Sequence, residues 1–236
     1  RDLHPFPTRR SSDLSRSRLE QAKGDAGRAL FDAVQEQEDA LHCCGVEDII
    51  VSAKSSSLDE TLRANSLIAS SSCHPIHIGL TEAGPGQRGI IKSSVAIGSL
   101  LGSGIGDTVR ISLTGTSLEE VVVAKRVLQS LGIRRFEAEL VSCPACGRRR
   151  ADVGSLVRII EPLMKNLRKD LKVAVMGCEV NGPGEAADSD IGIAGTPSGI
   201  VLFLGGKPIG HCSLEELSTQ FLKVCRESGL CRGSQD

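Results

Sequence analysis

The chain has 236 residues, of which 40% are hydrophobic and 24% charged, as in an ordinary globular protein with a buried core. Basic and acidic residues number 28 and 29, so the net charge of −1 gives no field that would attract nucleic acid or an anionic membrane surface. No apolar run approaches the ~20 residues of a membrane-spanning helix. The composition therefore predicts neither a nucleic-acid partner nor a membrane partner.

Cysteine usage points to a reducing compartment. The nine cysteines are an odd number with irregular spacing, and no signal peptide is visible, unlike a disulfide-stapled secreted scaffold. We therefore expect a cytoplasmic protein in which some thiols act as ligands. The five aromatic residues are all Phe, so the core must consist mainly of aliphatic side chains.

Residues 1–14 show no hydrophobic period, and the part from Phe6 to Leu14 resembles the conceptual translation of a sequencing adapter. We set this segment apart from the fold prediction as an artefact. The remaining sequence is expected to form two regions, 15–133 and 134–236.

The first region alternates helical and strand-like patterns. The predicted elements are a helix over 19–41, a strand over 48–52, a helix over 58–71, a strand over 76–80, a helix over 92–101 and a strand over 108–113. A last helix should begin with a capping box of Ser117 and Glu120. Its inward residues are expected to be Leu118, Val121, Val122, Leu128 and Leu131. Such alternation predicts the α/β class, with a parallel sheet covered by helices.

The second region predicts a small α/β domain. Its expected elements are a strand over 136–142, a helix over 152–167, strands over 171–176, 191–194 and 200–204, a turn at Gly205-Gly206, and a helix capped by Ser213 and Glu216 that continues through Val224.

A constellation of cysteines in this second region predicts a metal centre. Cys143-Pro-Ala-Cys146 follows one strand and Cys178 ends another, so three thiolates can converge. The turn at Gly182-Pro-Gly184 can bring Glu185 back toward Cys178. A carboxylate binds a soft iron–sulfur centre weakly, which would leave one iron open to a reaction.

Spacing alone leaves other interpretations open. A zinc-stabilised module would use Cys212 or His211 as the fourth ligand, and a redox dithiol or a pure electron-transfer centre would also contain C-x-x-C. His74 and His77 flank an apolar strand and are expected to make core hydrogen bonds rather than bind metal. The five other cysteines are expected to be small buried hydrophobic residues: Cys43, Cys44, Cys73, Cys225 and Cys231.

Longer motifs resemble one enzyme family. Cys143-Pro-Ala-Cys146-Gly-Arg and Val175-Met-Gly-Cys178-Glu-Val-Asn-Gly-Pro-Gly-Glu-Ala186 are similar to the iron–sulfur signature of 4-hydroxy-3-methylbut-2-enyl diphosphate synthases. Upstream, Ser52-Ala-Lys-Ser55, Ile78-Gly-Leu-Thr-Glu-Ala-Gly84 and Gly104-Ile-Gly-Asp-Thr-Val-Arg-Ile-Ser-Leu113 resemble the same family in the same order. The similarity covers about residues 30–225.

The resemblance implies an iron–sulfur oxidoreductase of the non-mevalonate isoprenoid pathway. Cys143, Cys146, Cys178 and Glu185 would hold a [4Fe–4S] cluster. The substrate would be 2-C-methyl-D-erythritol 2,4-cyclodiphosphate, and electrons would come from ferredoxin or flavodoxin. Glu185 would yield its iron to a substrate oxygen, and Asn181 would contact the substrate. The family also implies a homodimer in which the cluster domain of one chain covers the barrel of the other.

The first region would then be the C-terminal part of a (β/α)₈ barrel, whose ligands bind at the carboxyl ends of the strands. Lys54 and Arg110 would neutralise phosphate charge, Thr81 and Ser112 would donate hydrogen bonds, and Glu82 would donate a proton. The residues at 114–117, before a helix, would suit a diphosphate. Since residues 15–133 supply only three predicted strands, we expect a fragment that binds a cluster without turning over substrate alone.

Overall fold

The computed structural model describes residues 8–10, 14–144, 146–178 and 188–233. These residues fall into two compact units, the first ending at Arg134 and the second beginning at Arg135. Both units combine parallel strands with helices, which confirms the predicted α/β class. None of the helices described is long and apolar enough to cross a membrane.

Short parallel strands alternate with helices in the first unit. Its elements are β1 (Thr8–Arg10), α1 (Arg16–Gln21), α2 (Ala26–Cys43), β2 (Ser52–Lys54), α3 (Leu58–Ser71), β3 (His77–Gly79), α4 (Gly86–Gly102), β4 (Thr108–Arg110) and α5 (Ser117–Ser130). β1 pairs with β2, β3 pairs with β4, and a parallel bridge between Val51 and Ile76 connects the two pairs. β1 lies in the adapter-like segment, whose separate origin stays a prediction.

The core of the first unit lies between these strands and the helices, with α2 packed on α3 and α3 on α4. Because strand side chains alternate between faces, every second residue of β2 and β3 enters this core. Its fully buried aliphatic members include Leu30, Val34, Val51, Ala53, Ile68, Ile78, Ile97 and Leu100.

Two helices of the first unit differ from the sequence prediction. The single helix expected over 19–41 is two helices, since Lys23 and Gly24 have φ of +53° and +85° and no α-helix continues through such residues. Asp25 then caps α2 by accepting the Arg28 N–H at 2.8 Å. Similarly, α4 begins at Gly86 rather than at residue 92.

The predicted inward face of α5 is wrong. The residues that enter the core are Val123 and Val127, while Leu118 is 73% exposed and Val121, Val122 and Leu131 are also exposed. The helix carries apolar residues on more than one face, and periodicity does not say which face meets α4. Its cap also lies one residue earlier, at Thr116 and Glu119.

The second unit is a five-stranded mixed sheet with helices. Its elements are β5 (Glu139–Ser142), α6 (Val153–Ile160), a 3₁₀ helix (Glu161–Asn166), β6 (Lys172–Met176), β7 (Ile191–Thr196), β8 (Gly199–Leu204), β9 (Lys207–Cys212) and α7 (Leu217–Glu227). The strands lie in the order β5-β6-β7-β8-β9. β5, β6 and β7 are parallel, and the last two pairings are antiparallel.

Local sequence explains the ends of these elements. Gly205 and Gly206 have φ of +50° and +77°, which suits a two-residue turn between β8 and β9 and confirms the predicted turn. The helix predicted over 152–167 becomes a 3₁₀ helix at Glu161, where Pro162 interrupts the α-helical hydrogen bonds. The core contains Leu156, Ile160, Leu167, Val173, Val175, Ile191, Leu217 and Phe221.

Candidate functional site

Alternate residues of β2, β3 and β4 carry polar side chains on the side of the strands away from the helices. His77 pairs in register with Thr108, and Gly79 with Arg110. Val51, Ala53, Ile76 and Ile78, the neighbours of the polar residues along the chain, belong to the apolar core. We define the polar strand face as five residues: Ser52, Lys54, His77, Thr108 and Arg110.

Lys54 is the most buried charged residue of this face, with only 3% of its surface exposed. Burial, and secondly the positive charge of Arg110, lower the pKa of Lys54 to about 8. Among the residues that the structure describes, no carboxylate lies within ion-pair distance of its ammonium. A buried cation without a counter-ion is costly, so the polar strand face favours an anionic ligand.

His77 also belongs to this face. Its Nδ1 lies 2.8 Å from Thr108 Oγ1, and its carbonyl oxygen accepts a hydrogen bond from Ser52 Oγ at 2.8 Å. Burial, followed by the charges of Lys54 and Arg110, lowers the pKa of His77 to about 4. The imidazole is therefore neutral near pH 7 and can act as a hydrogen-bonding group without adding charge. His77 was expected to make only core hydrogen bonds, although its alternation with the buried Ile76 and Ile78 indicates a second, polar face of the strand.

The other residues predicted for the first unit follow the same strand ends. Thr81 donates its N–H to the Ser55 carbonyl oxygen at 3.1 Å, and Ser112 is half-buried just beyond β4. The exposed Glu82 has φ of +54°, a left-handed conformation that costs energy in a residue other than glycine. Backbone strain of this kind is concentrated at functional sites, which supports the prediction that Glu82 belongs to the site.

The N-terminus of α5 is less suited to a diphosphate than the sequence predicted. Thr116 Oγ1 accepts the Glu119 N–H at 3.3 Å, and the Glu119 carboxylate accepts the Thr116 N–H at 2.9 Å. The Glu120 carboxylate accepts the N–H of Leu113 at 2.9 Å. Because two carboxylates of the chain occupy these donors, an added anion would meet negative charge.

In the second unit, Cys143 and Cys178 lie just beyond the carboxyl ends of two neighbouring strands. They follow β5 and β6, neighbouring parallel strands in which Ser142 pairs with Val175. The Gly177 N–H donates to Cys143 Sγ at 3.1 Å. The sulfur of Cys143 therefore contacts the backbone of the residue that precedes Cys178. Gly177 is closely packed, since a Cβ there would lie 2.8 Å from Val153 Cγ2. Cys178 is buried and Cys143 half-buried.

Cys146 lies on the exposed turn that follows Cys143. Hydrogen bonding to the Arg148 backbone, together with the Arg148 side chain and its charge, lowers the pKa of the Cys146 thiol. The same turn is joined to the β6 end, because the Arg150 N–H donates to the Gly177 carbonyl oxygen at 2.6 Å. The turn therefore favours a thiolate, the form that binds metals.

Two of the predicted ligands, Cys143 and Cys178, follow neighbouring strands, and the third, Cys146, lies on the exposed turn after Cys143. Within the described residues, no three His, Cys, Asp or Glu side chains are close enough to share a metal ion. Asn181 and Glu185 lie outside the described residues. The donor chemistry nevertheless suits a soft iron–sulfur group, since amide-to-sulfur hydrogen bonds and positive charge both stabilise thiolate ligands.

The zinc alternative that relies on Cys212 or His211 conflicts with the sheet order. Both residues are on β9, whereas Cys143 follows β5, and these strands are the two edges of the sheet. Four strand spacings separate them, or about 19 Å of sheet width. A single ion cannot span that distance.

The prediction for the remaining cysteines is only partly right. Cys225 is buried and Cys231 half-buried, but Cys43, Cys44 and Cys73 are exposed. These three lie at or just beyond the ends of α2 and α3, where the general tendency of cysteine to be buried does not hold.

Comparisons with known proteins agree with the order of the motifs. The family described as the GcpE TIM-barrel domain matches residues 11–125, and the GcpE protein C-terminal domain matches residues 139–227. A relative from Ruminiclostridium cellulolyticum, named 4-hydroxy-3-methylbut-2-en-1-yl diphosphate synthase (flavodoxin), is 41% identical over 217 residues, which are 92% of this chain and 62% of the relative.

Two further relatives carry the same name. The one from Clostridium perfringens is 38% identical over 91% of this chain and 61% of its own length, and the one from Thermotoga maritima is 46% identical over 75% and 52%. The chain thus spans about three fifths or less of the length of these relatives. With both domain families matched in order over most of its residues, the chain belongs to the GcpE family.

Proposed function

We propose that the chain is the C-terminal part of an iron–sulfur reductase that opens the ring of 2-C-methyl-D-erythritol 2,4-cyclodiphosphate. The product would be 4-hydroxy-3-methylbut-2-enyl diphosphate, the compound in the names of the relatives. Ring opening takes up two electrons and two protons and releases one water. The observation that carries the proposal is the pair of thiols, Cys143 and Cys178, at one edge of the sheet in a member of this family.

The polar strand face would bind the diphosphate. Lys54 and Arg110 would neutralise its charge, and the neutral His77 and the hydroxyls of Ser52 and Thr108 would offer hydrogen bonds without further repulsion. The ligand would then supply the negative charge that no described carboxylate brings to the buried Lys54. Thr81, Ser112 and Asn181 would add hydrogen bonds, and Glu82 would hold a proton for the departing hydroxyl.

In the second unit Cys143, Cys146 and Cys178 would hold a [4Fe–4S] cluster, with Glu185 as a displaceable fourth ligand. When bound, the cluster would supply single-electron transfer and an iron that accepts oxygen ligands. The Gly177 N–H would stabilise the Cys143 thiolate, and the Arg148 backbone would do the same for Cys146. The roles of Asn181 and Glu185 rest on the sequence motif alone.

The partners would be a reduced electron carrier and a second copy of the whole protein. The names of the relatives specify flavodoxin, and ferredoxin is a further candidate. Residues 15–133 would form the C-terminal part of a barrel and residues 134–236 the cluster domain of a homodimer. Because the relatives are longer, we propose that substrate turnover also requires the part of them that this chain does not match.

A chimera tests this function. This chain would be joined behind the N-terminal part of the Ruminiclostridium relative that it does not match, and reconstituted anaerobically with iron and sulfide. With a chemical reductant and the cyclodiphosphate, phosphorus NMR should show the linear diphosphate for the chimera and no conversion for the 236-residue chain. The chimera that carries Cys178→Ser should be inactive.

Two different outcomes would contradict different parts of the proposal. A folded chimera that contains its cluster but gives no product would refute the reductase and favour an electron-transfer protein. Turnover by the 236-residue chain alone would leave the reaction intact and refute the requirement for the additional part.

A further inference from the structure

Two histidines of the first unit meet on the segments that precede strands β2 and β3. His42 is in the last turn of α2, before β2, and His74 follows α3, before β3. Their Nε2 atoms lie 3.1 Å apart, and their rings are at 71° with centroids 5.2 Å apart. Since β2 and β3 are parallel, both histidines lie at the amino-terminal ends of the strands.

The backbone on both sides of this contact is anchored. Glu38 lies one helical turn before His42 on the same face of α2 and is only 5% exposed. Its carboxylate accepts a hydrogen bond from Ser72 Oγ at 2.7 Å, and Ser72 Oγ accepts the His74 N–H at 3.2 Å. A buried carboxylate therefore connects the two segments, which lie 32 residues apart in the chain.

The distance between the two nitrogens suits a shared metal ion. With metal–nitrogen bonds of about 2.0–2.1 Å, ligand nitrogens lie about 2.9 Å apart at a right angle and about 3.3 Å apart at the tetrahedral angle. The observed 3.1 Å falls between these values. Both imidazoles can present a lone pair at Nε2, and imidazole binds Zn²⁺, Cu²⁺ and Ni²⁺ in preference to Mg²⁺ or Ca²⁺.

We propose that His42 and His74 form a surface site for a divalent transition-metal ion, separate from the cysteine centre and from the polar strand face. Because no third protein ligand is in range among the described residues, water completes the coordination. The site is open and binds more weakly than a structural zinc site with four protein ligands. Metal binding there would join the end of α2 to the segment after α3 and stabilise the first unit.

Zinc titration of the full chain tests this proposal. The metal-free, reduced protein would compete for Zn²⁺ with a chromophoric chelator, and its melting temperature would be measured with and without zinc. The wild-type chain should bind one more equivalent than His42→Ala or His74→Ala, and zinc should raise its melting temperature more. Both histidines are at the surface, so these variants keep the core intact. Zinc bound by Cys143, Cys146 and Cys178 is common to all samples and cancels in the comparison.

Two matched controls sharpen the test. His211→Ala removes another exposed histidine and should retain the extra equivalent. The double variant Cys43→Ser/Cys73→Ser removes the thiols next to the two histidines and should retain it as well. The same stoichiometry in wild type and His42→Ala would leave a simple imidazole–imidazole hydrogen bond and overturn the site. Loss in the cysteine variant, or displacement of zinc by millimolar Mg²⁺, would overturn its assignment to two imidazoles.

Discussion

The two units present their reactive side chains in opposite ways. In the first, Lys54 and His77 lie within strands, Lys54 is almost fully buried and His77 half-buried, and burial is the main cause of both pKa shifts. In the second, Cys143 and Cys146 lie beyond a strand end, where backbone hydrogen bonds support the sulfurs. From this comparison we infer that a buried lysine with no carboxylate nearby among the described residues suits an anion, while backbone donors at a strand end suit thiolate ligands of a metal.

Cys178→Ser should have the largest effect. Replacing a buried thiol of the sheet edge removes a soft ligand, so anaerobic reconstitution should yield less than a tenth of the wild-type iron. Iron content and visible absorption measure this effect. Cys44→Ser, which removes an exposed cysteine of the other unit, should leave both at wild-type values. Equal iron content in the two variants would show that Cys178 is not a ligand of the metal centre.

Lys54→Met should weaken binding of inorganic diphosphate by about ten- to a hundredfold, as expected for the loss of a charge-assisted hydrogen bond. Isothermal titration calorimetry measures the affinity. Lys125→Met removes an exposed lysine from α5 and should change it little. A similar loss of affinity in both variants would show that Lys54 contributes only its charge and makes no specific contact with diphosphate.

The pH dependence of the same binding tests the burial of Lys54. Because its pKa is about 8, the ammonium is charged below that value and loses its proton as the pH rises through it. Affinity for diphosphate should therefore be greatest below about pH 8 and fall above it. The wild-type curve minus the Lys54→Met curve removes the titration of the ligand itself. A flat difference between pH 7 and 9 would contradict the shifted pKa.

Glu185→Ala tests the fourth ligand. If Glu185 holds one iron, its removal should leave a three-iron cluster with an altered electron paramagnetic resonance spectrum, while the thiols still retain the group. An unchanged four-iron spectrum would exclude Glu185 as a ligand and favour an electron-transfer role.

The smallest effect is expected for a pair of glycines. Gly177→Ala should lower the free energy of unfolding by about 1–3 kcal/mol, since the new Cβ would lie 2.8 Å from Val153 Cγ2. Gly98→Ala, within α4 and with no atom within 4 Å of the new Cβ, should raise it by about 0.5–1 kcal/mol. Urea denaturation measures both. A Gly177→Ala variant that is as stable as the wild type, or more stable, would contradict the close packing at Gly177.

Particular residues show how far the sequence determines the site. The polar strand face was predictable in principle, because Ile76, His77 and Ile78 alternate as a strand with two different faces requires. Spacing also indicated that Cys143 and Cys178 end neighbouring strands. The contact of the Gly177 N–H with Cys143 Sγ was not predictable, since it depends on the register of β5 against β6.

The helices show the opposite limit. The exposed Leu118 and Val121 of α5 appeared as apolar as the buried Val123 and Val127, and only tertiary packing distinguishes them. The capping box of Thr116 and Glu119 likewise occupies backbone N–H groups that were expected to bind a diphosphate. The local sequence pattern predicts that a helix forms, whereas the neighbouring elements determine which face of that helix is buried.

The most direct test is the ratio of iron, acid-labile sulfide and zinc in the anaerobically reconstituted 236-residue chain. Our account predicts four irons and four sulfides per chain, a brown protein and loss of all three features in Cys143→Ser. One zinc per chain without sulfide, retained when Cys143 is replaced, would contradict the iron–sulfur centre on which the proposed reduction depends.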